Sequence, residues 1–133
     1  MLLSLQIENY AIIKSLSIDF DKGFTVVTGE TGAGKSILVG ALGLILGQRA
    51  ESAIFHDKSK KCFVEAQFDI KNIDLASVFK KYNLDYQENT FIRLEALPNG
   101  KSRAFVNDSP VTLQILKELT EKLIDIHSQH HYL

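Results

Sequence analysis

The run Gly29-Glu30-Thr31-Gly32-Ala33-Gly34-Lys35-Ser36 constrains this chain more than any other. It fits G-x-x-x-x-G-K-[ST] and lies between a strand-like and a helix-like stretch, the context this pattern requires. Upstream, Phe24-Thr25-Val26-Val27-Thr28 is rich in β-branched residues and too continuously apolar for a half-exposed strand, so it reads as a buried central strand. Downstream, Ser36 to Leu46 is apolar nearly all round, which predicts a helix packed inside a larger body with Gly47 as its C-cap. Gly29, Gly32 and Gly34 let the backbone take turns that a Cβ resists, so that successive N–H groups converge on phosphate oxygens. A helix starting near Lys35 adds its positive dipole end, and Lys35 places a mobile ammonium on the β- and γ-phosphates of a nucleotide. Ser36 supplies a hydroxyl oxygen to Mg²⁺. The residues Gly29 to Ser36 thus read as a loop for the phosphates of a nucleotide and its Mg²⁺ ion, the Walker A pattern.

A length of 133 residues points to one domain, and 45% hydrophobic with 23% charged residues predicts a packed core. Lys and Arg number 15 against 16 Asp and Glu, a net charge of −1, so any electrostatic footprint for nucleic acid must be local. Cys62 is alone and cannot form an intramolecular disulfide, which excludes a bridge-stapled secreted scaffold. The start, Met1 to Asn9, lacks a basic n-region, and the longest apolar run, Ile37–Leu46, is well short of the roughly 20 residues that span a bilayer. A cytoplasmic protein without a membrane segment is expected.

Leu3, Leu5 and Ile7 alternate with polar residues, as do Leu16, Ile18 and Phe20, giving two strands with one wet face each. Residues 48–61 read as a loop. Cys62, Val64, Ala66, Phe68 and Ile70 form a further alternating strand in which Phe63 is the exception. Leu75, Val78, Phe79 and Tyr82 have helical spacing behind Asp74 as N-cap. Residues 91–97 and 102–106 flank an Asn99-Gly100 hairpin signal, and 107–110 make a second turn. Leu113, Leu116, Leu119 and Leu123 predict an amphipathic helix capped by Thr112, with a strand starting at Leu123-Ile124-Asp125-Ile126.

The phosphate loop leaves the reaction open, since kinases, GTPases and many ATPases share it. Hydrolysis also needs a Walker-B carboxylate behind an apolar strand, and no run of four apolar residues here is followed by Asp-Glu or Asp-Asp. The chain therefore reads as part of a site. Three functional classes compete: half of an ATPase, a nucleotide-binding switch module without hydrolysis, and a small P-loop kinase. A kinase needs lid arginines, whereas the late arginines, Arg93 and Arg103, fall in the strands of a predicted hairpin.

Leu3 to Ile13, Phe24 to Ser36, Gly100 to Asn107 with Pro110 to Leu113, and Leu123 to His130 closely resemble the SMC-like ABC ATPases, in particular their bacterial DNA-repair members. The resemblance runs from end to end and is weak between Glu51 and Asn89. It implies an α/β fold, the N-terminal lobe of a P-loop ABC-type head with a mixed sheet, antiparallel β-hairpins and a buried phosphate-loop helix. Residues 1–133 would be that lobe, with Walker A near 29–36 and a Q-loop near 127–131. The coiled coil and the C-terminal lobe with signature motif and Walker B lie outside the chain. Implied partners are ATP, the C-terminal half of the same head, a second head in a homodimer, and DNA, in a cytoplasmic, nucleoid-associated setting of double-strand-break repair and recombination.

By resemblance, Lys35 is the Walker-A lysine, Ser36 the Mg²⁺ hydroxyl, and Gln129 the Q-loop glutamine that joins the Mg²⁺ shell and senses the γ-phosphate. Asn9, with Tyr10, falls where such heads place the nucleotide base, although an ordinary strand-end Asn reads equally well. Arg49 matches a position where related heads sense nucleotide or DNA, while a lone loop arginine is ordinarily a solvated charge. His127-Ser128-Gln129-His130-His131-Tyr132 departs from the family's pattern after His130. A metal site from His127, His130 and His131 fits by ligand type, against the plainer reading of solvated imidazoles. Lys58, Lys60 and Lys61 form a short basic cluster suited by charge to a DNA phosphate, against the plainer reading, for so short a run, of a solvated face.

Overall fold

A computed structural model of the chain describes residues 1–20, 32–48 and 54–130, the side chains of 32–35 and 124–130 excepted. The strand expected over 24–28 lies outside the described residues. Along the chain run β1 (Leu2–Tyr10), β2 (Ile13–Asp19), α1 (Gly32–Ile45), β3 (Cys62–Asp69), α2 (Ala76–Lys81), β4 (Asn89–Ala96), β5 (Ser102–Val106), β6 (Ser109–Val111) and α3 (Leu113–His130). Among the described residues the strands form a six-stranded sheet in the order β2-β1-β3-β4-β5-β6, antiparallel at each of these pairings.

Alternation sorts the sheet into two faces. In β3, Cys62, Val64, Ala66 and Phe68 are buried, while Phe63, Glu65, Gln67 and Asp69 occupy the half-exposed side. The registers line these positions into rows: Ile7 opposite Val64, Leu94 and Ala104, and Leu5 opposite Ala66, Ile92 and Val106. Each of these side chains is buried, and each large aliphatic contributes about 1.5–3 kcal/mol by leaving water. α1 lies over β3 and β4, and α3 over β5. Ala41, Leu44 and Ile45 of α1 and Leu116, Leu119 and Leu123 of α3 fill the inner face, each set at the three-to-four spacing that keeps residues on one side of a helix.

Local chemistry sets the boundaries. α1 ends with Gly47 in the left-handed region (φ 90°), its N–H on Leu44 O and the Gln48 N–H on Gly43 O, as expected of a Schellman stop. The β4–β5 hairpin closes with the Gly100 N–H on Leu97 O, and Asn107 and Asp108 both take positive φ, 49° and 69°, in the two-residue turn to β6. Thr112 Oγ accepts the Ile115 N–H at 3.1 Å, the predicted cap of α3.

Two expectations are corrected. Asp74 does not cap α2: the N-cap is Leu75, without a side-chain cap hydrogen bond, because this leucine is buried to 1% exposure and its burial sets where the helix begins. Leu123-Ile124-Asp125-Ile126 is helical, not the start of a strand. No Gly or Pro interrupts 113–130, and the core-facing Leu116, Leu119 and Leu123 carry the helix past that point.

α2 is tied to α3 where the Tyr82 hydroxyl donates to Glu118 and Lys81 Nζ lies 3.3 Å from the same carboxylate. Tyr82 first, then Lys81, holds the Glu118 carboxyl below its ordinary value of 4.5. A folded value below the unfolded one means stability that is present above about pH 4.5 and lost as pH falls through the lowered value. Tyr82→Phe should therefore lower the thermal midpoint near neutrality, with the gap to the parent closing below about pH 4. Equal deficits at both pH values would show that the hydroxyl acts by packing alone.

Candidate functional site

The phosphate loop meets the described structure at the start of α1. Gly32-Ala33-Gly34-Lys35 forms the first turn of that helix, three residues earlier than the expected start near Lys35, and Gly29, Glu30 and Thr31 lie outside the described residues. No acidic residue stands in this turn, and Ser36 follows it exposed to solvent. The first-turn N–H groups of a helix have no partner within the helix and its dipole is positive at that end, which suits an anion. Gly32 and Gly34 are helical and so do not serve there as turn residues.

α1 is held by more than its greasy face. Tyr10, at the end of β1, is 9% exposed and lies against α1 at Gly40, where an added Cβ would collide with the tyrosine hydroxyl. Burial pushes that phenol above its ordinary value, so it is a neutral wedge between sheet and helix. The helix is not covered all round, as its composition predicts. Val39 is 70% exposed, Leu46 is half-buried, and Leu38 and Leu42 are half-buried where they pack against the core, so part of the apolar surface of α1 stays open among the described residues.

Next to Tyr10, Asn9 adopts φ 58° and turns its side chain onto the segment before β3. Its Nδ2 donates to the carbonyls of Asp57, Lys60 and Lys61 at 3.0–3.1 Å, and its Oδ1 accepts the Asp57 N–H at 2.6 Å. Tyr10 also bridges to Phe55, and the Ala11 N–H reaches Ile54 O. Both ends of the Asn9 amide are thus engaged in pinning residues 57–61, a role that strand-end position alone does not reveal. Between this segment and the β1–β2 turn opens a cleft of about 430 Å³ whose lining includes Asn9, Lys14, His56, Lys60, Lys61 and Phe63.

Gln129 sits in α3, one residue from its end, and His127 and His130 share that helix three residues apart. Their side chains, and Arg49 and His131 altogether, lie outside what is described. Among the described residues no group of His, Cys, Asp or Glu is placed to hold a metal. Cys62 is buried and its thiol is pushed up to about 12 by burial, so it is protonated and inert.

Arg93 and Arg103 are where the pattern predicts, on β4 and β5, but both are spent on Glu95. This carboxylate, its side chain 7% exposed, gathers Arg103 at 3.0 Å, Lys61 at 3.2 Å and Arg93 at 3.3 Å. Arg93 Nε lies at that last distance without hydrogen-bond alignment, and its guanidinium also stacks over Phe105 at 4.3 Å. Glu95 was not visible as a hub in the sequence. Its signal was an acidic position paired in register with Arg103 across a hairpin, which only the turn geometry fixes.

Residues 4–130 match the family model described as an AAA domain. The chain belongs to this family. Along 98% of its length the AAA domain is 46% identical to the DNA repair protein RecN of Vibrio cholerae, covering 24% of that relative. RecN of Halalkalibacterium halodurans is 40% identical over 99% of the chain, again 24% of the relative, and RecN of Bacillus subtilis is 37% identical over 98%, or 23% of the relative. The chain therefore spans about a quarter of the length of the curated relatives it matches. Among solved structures it is similar to an SMC head bound to the C-terminal winged-helix domain of ScpA, with a TM-score of 0.71, 21% identity, and coverage of 91% of this chain and 40% of that one. The recombination mediator RecF with ATP gives a TM-score of 0.61 at 18% identity, covering 86% and 30%. These likenesses show the fold, that of the N-terminal lobe of an SMC-like head.

The Tyr10 wedge makes a direct prediction. Gly40→Ala should cost about 1–3 kcal/mol in urea unfolding through overpacking, and less in a Tyr10→Phe background, where the colliding hydroxyl is gone. Strictly additive losses would place the cost elsewhere than between these two residues.

Proposed function

We propose that this AAA domain is the ATP- and Mg²⁺-binding N-terminal lobe of a split SMC-like ATPase head, in a RecN-type protein of DNA double-strand-break repair and recombination. The observation that carries this reading is the Walker A run entering α1 at an N-terminal turn free of acidic side chains, in a chain similar to RecN over nearly its whole length. The residues fit the group. Backbone N–H groups of Gly29, Glu30, Thr31, Gly32, Ala33 and Gly34 would receive the phosphates, Lys35 their negative charge, and Ser36 a Mg²⁺ ion, with Gln129 adding an amide oxygen to its shell. When bound, ATP·Mg²⁺ supplies an activated γ-phosphoryl group. Asn9 serves the site by fixing residues 57–61 beside β1.

The chain contains no Walker-B carboxylate, so hydrolysis belongs to the complete protein. The open apolar surface of α1 at Val39 and Leu46 fits burial against the C-terminal lobe of the same head. An SMC ATPase of the same fold, TM-score 0.70 at 20% identity, has been described in ATP-driven dimerisation and DNA-stimulated activation. Head dimerisation with ATP and engagement of DNA are proposed here by that analogy. A binding-only switch module is the second reading, favoured by the missing carboxylate. The kinase reading loses its support because Arg93 and Arg103 are pinned to Glu95.

Two measurements test the assignment. In the complete protein Lys35→Ala should cost about 2–5 kcal/mol of nucleotide affinity, removing binding from calorimetric range; unchanged affinity sinks the role of Lys35. The isolated chain should hydrolyse ATP negligibly, and clear turnover by a contaminant-free preparation would refute the half-site.

A further inference from the structure

Two side chains from other elements lie on bare positions of α1 and its C-cap. From the sheet, the Tyr10 ring rests at Gly40, its hydroxyl in the space a Cβ would take. From α3, the aliphatic stem of Lys117 lies over Gly47, where a Cβ would come within 2.5 Å of Lys117 Cγ and 3.1 Å of its Cε. Lys117 is exposed as a residue, so its stem covers the end of α1 while the rest of the side chain meets water.

Both contacts stand on fixed backbone. Tyr10 pairs with Ile13 of β2 and bridges to Phe55, and Asn9 beside it is bound to Asp57, Lys60 and Lys61. Lys117 stands between Leu116, buried in the core, and Glu118, held by Tyr82 and Lys81. Each residue of a helix rises about 1.5 Å, so the two stops lie about 10 Å apart along α1, with Lys35 about 7.5 Å beyond Gly40 toward the phosphate loop. Ala41, Leu44 and Ile45 press α1 onto the sheet, but apolar contact is non-directional and resists separation more than sliding. The bare positions act differently. A shift along the axis carries Gly40 off the tyrosine hydroxyl and brings a neighbouring Cβ toward it, and the same shift moves Gly47 against or away from Lys117.

We propose that Tyr10 and Lys117 are positioning residues for nucleotide binding, which together fix the place of α1 along its axis and with it that of Lys35 and Ser36. Hydrogen bonds to a phosphate weaken steeply as donor and acceptor part, so a slip of about 1 Å is enough to spoil the site. The sheet sets one stop and α3 the other, so α1 is indexed against two elements at once. The proposal rests on the reading of Gly29 to Ser36 as the phosphate loop.

The test measures steady-state ATP hydrolysis by the complete protein, with kcat and KM separated, for Tyr10→Phe, Lys117→Ala and the double variant. A fraction of unfolded protein lowers the apparent kcat and leaves KM alone, so KM reports position rather than stability. Each single change should raise KM about two- to threefold, and the double should exceed the product of the two by a further factor of about three, because either stop alone still indexes the helix. Thermal midpoints should fall additively, since the two residues touch different positions about 10 Å apart. Lys117→Met, which keeps the stem, should restore the parental KM, and Lys122→Ala, exposed on the same helix, should leave it unchanged. KM effects that merely multiply, or an unchanged KM beside lowered midpoints, overturn the positioning role. A KM raised in Lys117→Met as in Lys117→Ala assigns the effect to charge and overturns the role of the stem. Unchanged nucleotide affinity in Lys35→Ala instead brings down the phosphate-loop reading beneath the proposal.

Discussion

Everything the phosphate loop can do depends on where α1 is held, because a turn of free N–H groups binds an anion only if it stays in place. The sheet supplies that hold. Ala41, Leu44 and Ile45 press one stripe of α1 onto the buried rows of β3 and β4, and Tyr10 blocks a second direction by lying against Gly40. Apolar packing fixes distance but tolerates sliding; a bulky ring against a bare Cα resists it. The neighbours of Tyr10 extend the same support outward, since Asn9 and Ala11 bind the chain ahead of β3 through hydrogen bonds.

The two faces of the sheet follow different physics. Inward, side chains contribute by leaving water. Outward, Glu65, Arg93, Glu95, Arg103 and Asp108 form an ion-pair network in which Arg93 lies 3.6 Å from both Glu65 and Asp108. Burial raises the Glu65 carboxyl against the opposing pull of Arg93, the balance expected when a charge gains a partner by losing solvent. Such a network adds little net stability, yet removing one member strands a buried charge. It therefore specifies the β3–β4–β5 register more than it strengthens it.

Much of the architecture was legible because alternation and helical spacing act locally. Leu5 and Ile7, the β3 run and the leucines of α3 declared their faces, and Gly47, Asn99-Gly100 and Thr112 declared their turns and caps through backbone chemistry that needs no distant partner. Boundaries were less visible. The burial of Leu75 overrode the capping preference of Asp74, and core contacts carried α3 through a β-branched stretch that reads locally as a strand.

The sequence alone carries the proposed phosphate loop, since Gly29 to Ser36 fit the pattern of an anion-binding turn, and it shows no Walker-B carboxylate beside them. Tertiary structure decided what Asn9, Tyr10 and Glu95 are for. Their roles arise from partners thirty or more residues away or across a hairpin, at Gly40, Asp57, Lys61 and Arg103, and no local pattern encodes such a meeting. It also decided where the charge lies. Composition sums charges to −1, whereas antiparallel pairing places them in space, bringing Lys61, Arg93 and Arg103 around the buried Glu95.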